Sequence, residues 1–275
     1  MIIDFVTWNV SPEIFSIGSL HIRWYGLLFA SAFVAGYLIF THMFKKEGVP
    51  MELLDKLTLY MVLGTIIGAR LGHCFFYEPE YYLRNPIEIL KTWHGGLASH
   101  GAAIGILLAL YLFCRKSKKS YFWILDRIVI VVALAGLFIR TGNLMNSEIY
   151  GVQTNLPWGF VFVRAGEVLP KHPTQLYEGL SYFFIFGLLY YLYEKKISKL
   201  KGGTLFSLFL ILVFVARFLI EFVKEDQESF ESTMSLNMGQ LLSIPFVLAG
   251  VLILVWLYVI KKDKGPSHEN NLPKK

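Results

Sequence analysis

Charged residues are scarce in this chain. Asp, Glu, Lys and Arg make up 17% of its 275 residues, against about 25% in soluble domains. Cysteine is nearly absent: Cys74 and Cys114, both inside or beside apolar runs, exclude a disulfide framework and a zinc spacing. No HExxH, no Cys/His cluster and no carboxylate cluster of the hard-metal type occurs, so no metal or other cofactor is called for. P-loop and Rossmann glycine patterns are missing too, which argues against nucleotide-driven work. The first sixteen residues carry only Asp4 and Glu13 as charges. Without the basic n-region of a signal peptide, the first apolar span is expected to stay in the protein. The net charge of +6 would suit nucleic acid, but the lysines sit in short loops between apolar runs. That is membrane topology, and no nucleic-acid partner is expected.

What the chain has in abundance is apolar sequence: 55% hydrophobic and 16% aromatic, with a mean hydropathy of +0.52. Several runs reach the ~18 residues that cross a bilayer. The reading is an all-α polytopic membrane protein with seven transmembrane helices, at about 18–43, 57–77, 97–114, 122–140, 178–194, 203–223 and 239–260. Residues 1–275 are read as one transmembrane catalytic domain. Alternate breaks between spans hold sixteen basic residues on one side and five on the other. By the positive-inside rule the N-terminus is outside and the C-terminus cytoplasmic. The longest break, the outer loop 143–177, is then on the outer face, and Pro173 near its end suits the first turn of the next helix. The second span carries Gly64, Gly68 and Gly72, a small-residue ladder that lets helix backbones approach.

Polar residues at membrane depth are costly and face a cavity or a partner. At ~1.5 Å per residue, Arg140 lies ~27 Å from the inner end of its span and Arg217 ~21 Å from the inner end of its own. His100 is about one turn below the outer surface, and Tyr25 is close to the outer end of span one. Groups from four spans thus share one depth. Two guanidiniums at the outer headgroup level suggest a phosphate, whose oxygens the arginine fork matches. Asn143, Asn146 and Glu148 add donors and acceptors beside Arg140, and Glu221 is one turn beyond Arg217, placed to hold its side chain. His100, after a glycine turn that also holds His94, is the candidate general base. Each residue alone has a plainer reading. Arg140 snorkels, Arg217 pairs with Glu221, His100 bonds a carbonyl, Tyr25 is a belt aromatic, and Arg70 is a packing residue. The convergence is what favours a site.

The motif Arg140-Thr-Gly-Asn143-Leu-Met-Asn146-x-Glu148-x-x-Gly151 resembles that of the prolipoprotein diacylglyceryl transferases. The resemblance extends to Arg23-Trp-Tyr25-Gly26, His94-Gly-Gly-Leu-Ala-Ser-His100-Gly, His172-Pro-Thr-Gln-Leu-Tyr-Glu178, Arg217-Phe-Leu-Ile-Glu221 and Met238-Gly-Gln. It implies a multi-pass protein of the bacterial cytoplasmic membrane, with phosphatidylglycerol, prolipoprotein signal peptides bearing a lipobox cysteine, and membrane lipids as partners. The implied reaction moves the diacylglyceryl group of phosphatidylglycerol onto that cysteine and releases glycerol 1-phosphate, the first step of lipoprotein maturation. It also implies phosphatidylglycerol binding by Arg140 and site roles for His100, Tyr25, Asn143, Gly151 and Arg217. Ile139, Leu144 and Lys224 depart from the usual residues of the pattern. The competing reading is a transporter or flippase for a lipid or anionic solute, which would place its site near the bilayer midplane.

Overall fold

The structure, a computed structural model, describes residues 5–18, 20–92, 95–226, 231 and 234–260. Trp93, His94 and the basic tail from Lys261 onward lie outside the described residues. The order of elements is β1 (Val6–Trp8), β2 (Glu13–Ile17), β3 (Leu20–Arg23), α1 (Trp24–Lys46), α2 (Met51–Phe76), α3 (Pro79–Arg84), α4 (Ser99–Ser117), α5 (Tyr121–Met145), β4 (Phe160–Phe162), α6 (Thr174–Lys196), α7 (Thr204–Ile220) and α8 (Met238–Val255). Among the described residues, five helical stretches are long and apolar enough to cross a membrane: α1, α2, α5, Thr204–Val223 and Met238–Ile260. α4 and α6 also lie on expected spans but are more polar, α6 through its tyrosines and Glu178. The molecule is a mainly helical, multi-pass membrane protein.

The expected boundaries need correction in four places. Residues 18–23, taken as the start of span one, are not helical: β2 and β3 form an antiparallel hairpin there, and α1 begins at Trp24. β1 pairs in parallel with β4, Val6 opposite Phe160 and Trp8 opposite Phe162, so the fold is not wholly α. α5 runs on to Met145, past the expected end at Arg140, which puts Asn143 inside the helix rather than after it. α6 begins at Thr174, so the loop expected at 143–177 is reduced to about 146–173.

The chain divides into two compact units, one of residues 39–124 and one built from the residues before and after them. In the 39–124 unit the glycine ladder does what its spacing predicts. A Cβ on Gly68 would sit 2.8 Å from Gly105 Cα, and one on Gly64 would sit 2.7 Å from Ala109 Cβ, so α2 and α4 pack backbone to backbone. Overpacking such a seam costs about 1–3 kcal/mol. Gly68→Val is expected to lower Tm in detergent by several degrees, read by a thermal-shift assay; an unchanged Tm would mean the seam is not under this constraint.

In the other unit α6 packs on α7 and α7 on α8. Phe214 and Phe246 stack at 4.3 Å between α7 and α8, and Gly250 gives Ile211 its space. α7 starts without a side-chain cap of its own. Asp126, fully buried on α5, supplies one: its carboxylate accepts from Gly203 N at 2.7 Å and Phe206 N at 2.9 Å. The negative group sits where the helix dipole and the free amide donors are positive. α8 begins on a capping box, Asn237 with Gln240.

Candidate functional site

Five stretches of the larger unit meet around Arg140. The helical register of α5 sets Asn143 one turn beyond Arg140, and Arg140 Nη1 donates to Asn143 Oδ1 at 3.1 Å. Asn143 Nδ2 donates in turn to Glu148 Oε1 at 2.7 Å, and Asn146 Nδ2 reaches the same oxygen at 3.2 Å. Glu148 itself is exposed, so this string leads from the buried guanidinium to the surface. On the other side Arg140 Nε forms an ion pair with Glu178 of α6, whose side chain is 1% exposed. Lys224 Nζ stands 3.4 Å from Glu178 Oε1 and 3.4 Å from Glu221 Oε2. Two cations and two carboxylates thus alternate in a buried row. Buried charges persist when paired and hydrogen-bonded in this way.

The row depends on close backbone approaches. A Cβ on Gly239, in the first turn of α8, would fall 2.6 Å from both carboxylate oxygens of Glu221. The missing side chain brings Glu221 against a helix N-terminus, where negative charge is favoured. Gly142 gives similar room to Tyr25, whose ring would be 2.7 Å from a Cβ there. That packing places Tyr25 within electrostatic reach of both Arg140 and Glu148. Gly151 is enclosed by Val223, His172 and Thr174, and its amide donates to His172 O at 2.8 Å. Gln175 Nε2 holds Glu148 O at 2.6 Å and Thr174 Oγ1 holds Ile149 O at 2.8 Å, so the start of α6 fixes the turn after α5.

Arg217, in the last turn of α7, behaves differently. Both it and Arg140 lie within electrostatic reach of the Tyr182 hydroxyl. Yet among the described residues Arg217 has no side-chain hydrogen bond or ion pair, and it is half-buried. The expected pairing with Glu221 is not made. α7 ends at Ile220 and continues as a 3₁₀ turn through Val223, and Glu221 turns to Lys224 instead. His100 belongs to the 39–124 unit. It is exposed at the start of α4, edge-on to Phe76 at 5.2 Å and beside Tyr77 at 5.7 Å.

Sequence reasoning missed Glu178 and Lys224. A span boundary drawn at 178 hid the carboxylate, and Lys224 was counted as a loop charge. Their signal was present in the motif His172-Pro-Thr-Gln-Leu-Tyr-Glu178, which ends on a charge at the mouth of a span.

Outside the helices, Lys171 forms an ion pair with Glu225 and lies 3.4 Å from Glu167. Burial works against its charge, but the two carboxylates outweigh that and raise its pKa. Burial and the bond to Glu167 push the Tyr150 hydroxyl up to about 12. His172 Nδ1 lies 3.1 Å from the Tyr177 hydroxyl, whose oxygen already accepts from Trp158 Nε1 at 2.9 Å. Tyr177 therefore has its own proton to give, which suits a neutral imidazole; burial lowers the His172 pKa below 6.5. A histidine with a lowered folded pKa contributes fully above 6.5, and its contribution is lost as pH falls through the folded value. We expect the Gly151 amide, corrected for intrinsic rate, to exchange faster on acidification below that range, and His172→Asn to flatten the dependence. Equal slopes in both proteins would remove His172 as the cause.

Fold and site together define a polytopic membrane protein with a buried row of alternating charges, Arg140, Glu178, Lys224 and Glu221, and a second arginine, Arg217, that has no ion pair among the described residues. A family model described as prolipoprotein diacylglyceryl transferase matches residues 12–256. The chain belongs to that family. It is 51% identical over 249 residues to the phosphatidylglycerol–prolipoprotein diacylglyceryl transferase of Tolumonas auensis, covering 90% of this chain and 96% of that one. Similar relatives of the same name come from Chloroherpeton thalassium, 48% identical over 252 residues (91% and 94% covered), and Porphyromonas gingivalis, 44% over 277 (95% and 96%).

Proposed function

We propose that this protein transfers the diacylglyceryl group of phosphatidylglycerol to the lipobox cysteine of prolipoproteins, with release of glycerol 1-phosphate. The observation that carries the reading is the pair of guanidiniums within electrostatic reach of Tyr182, Arg140 locked by protein partners and Arg217 without one among the described residues. A locked arginine is a preorganised charge, and an unpartnered one has donors to offer an anion.

The cysteine sulfur, as thiolate, attacks the glycerol carbon that carries the phosphate. The carbon–oxygen bond breaks, its electron pair stays on the phosphate oxygen, and a thioether is formed. Charge passes from sulfur to phosphate, so fixed positive charge at the leaving group lowers the barrier. Arg140 and Arg217 hold the phosphate. Tyr25, Asn143, Asn146, Glu148, Gly151 and Glu221 shape and orient that place, with Glu178 paired to Arg140 and Lys224 paired to Glu221. The thiol proton goes to His100, since thiolate is the reactive form and a free cysteine has a pKa of ~8.5. The chain serves as one catalytic domain of seven spans in the bacterial cytoplasmic membrane, N-terminus outside and C-terminus cytoplasmic. The transporter reading is not favoured, because the relatives carry transferase names.

Purified protein incubated with glycerol-labelled phosphatidylglycerol and a lipobox peptide is expected to add the diacylglyceryl mass to the peptide cysteine and release labelled glycerol phosphate. Lipid movement across vesicles with no change in peptide mass would replace the transferase with a transporter.

A further inference from the structure

Arg70 lies in the apolar sequence of α2 and is 3% exposed. Its donors are met by main chain. Nε donates to Ile89 O at 2.9 Å, Nη2 to Glu88 O at 2.6 Å, and Nη1 to Gly95 O at 2.6 Å and Gly96 O at 3.2 Å. The Tyr82 ring centroid is 5.0 Å from its Cζ. One side chain therefore ties two separate stretches, 88–89 and 95–96, to the same helix. The tie continues along the chain. Gly96, at φ +69°, backs so closely onto α2 that a Cβ would sit 2.6 Å from His73 Nε2 and 2.8 Å from Arg70 Nη1. Ala98 N then donates to Ala69 O at 2.9 Å, and Gly101 packs on Gly72.

His100 stands at the end of this tied segment. Its ring touches Phe76 and Tyr77 but makes no hydrogen bond among the described residues. Among the described residues nothing polar orients the imidazole, and the backbone that carries it sets its place. We infer that Arg70 is a positioning residue for the transfer: it fixes the stretches 88–89 and 95–96, and through the second of them the first turn of α4 and the His100 imidazole. The inference rests on the proposed role of His100 as proton acceptor. Lysine is not a substitute, because a single ammonium cannot span four carbonyls set in two directions by a planar fork.

The test is steady-state transfer from phosphatidylglycerol vesicles to a lipobox peptide, run beside amide exchange across residues 86–101, on Arg70→Lys, Gly96→Ala and His100→Gln. Gly96→Ala keeps the arginine but sets a methyl against its Nη1 and against His73, so it disturbs the same tie without removing the charge and decides the matter if Arg70→Lys fails to fold. A misplacement of about 1 Å costs roughly 100-fold in rate. The expected result is a kcat lower by that order with KM for the lipid within about threefold, faster exchange confined to 86–101, and α7 and α8 exchanging as in the parent. Parental kcat despite a loosened segment overturns the inference, as does parental exchange in both variants. If His100→Gln keeps full activity, the proton-acceptor role falls instead, and the exchange data still report whether Arg70 holds the segment.

Discussion

Arg217→Gln is expected to slow transfer about 10²–10³-fold, the usual cost of losing one preorganised donor to a developing anion, while leaving Tm where the parent has it. The two halves of that expectation have separate origins. The rate falls because the leaving phosphate loses a charged donor that it alone uses. Stability holds because Arg217 makes no hydrogen bond or ion pair to any described residue, so its removal strands no partner among them. Arg217→Lys keeps the charge but not the fork, and should recover only part of the loss. The measurement is kcat and KM for phosphatidylglycerol together with a thermal-shift curve on the same preparation. A variant that loses stability in step with activity would show that Arg217 has a structural partner, and a variant of parental activity would take it out of the site.

The sequence made the helices easy to find and their polar ends hard to draw. Each apolar run holds a long helix, the first from Trp24 onward, because runs of that length and composition have no better way to satisfy their backbone. The ends failed where polarity was read as loop. Arg140, Asn143 and Met145 continue α5, since a buried arginine with an amide partner three residues on needs no turn to reach it. β1 and β4 were invisible for another reason. Each has three residues, and their pairing joins positions about 150 apart, which no local pattern records. Arg140, Asn143, Asn146, Glu148 and Tyr25 were legible because they are polar in apolar surroundings, and the structure brings them together. The partner of Glu221 was not, because helical spacing points to Arg217 only while the helix continues. The 3₁₀ turn Glu221–Val223 re-aims the side chain to Lys224.

That row of alternating charges carries the second large effect. Glu178→Gln leaves Arg140 and Lys224 facing each other through a neutral amide, and breaking one member of a buried pair costs about 3–5 kcal/mol. Arg140→Gln leaves Glu178 with Lys224 as its one charged partner among the described residues, shared with Glu221, and it also removes a phosphate donor. Both single variants should therefore melt well below the parent, and both should lose transfer activity. The double variant Arg140→Gln, Glu178→Gln separates the two roles. It removes one charge of each sign, so stability should return most of the way toward the parent, as it does when a buried pair is replaced as a unit. Activity should not return, because the phosphate still lacks its guanidinium. The cycle is read as Tm and kcat/KM for all four proteins. A double variant that recovers both would make Arg140 a purely structural cation, and one that recovers neither would mean that Lys224 and Glu221 cannot hold the row without the pair.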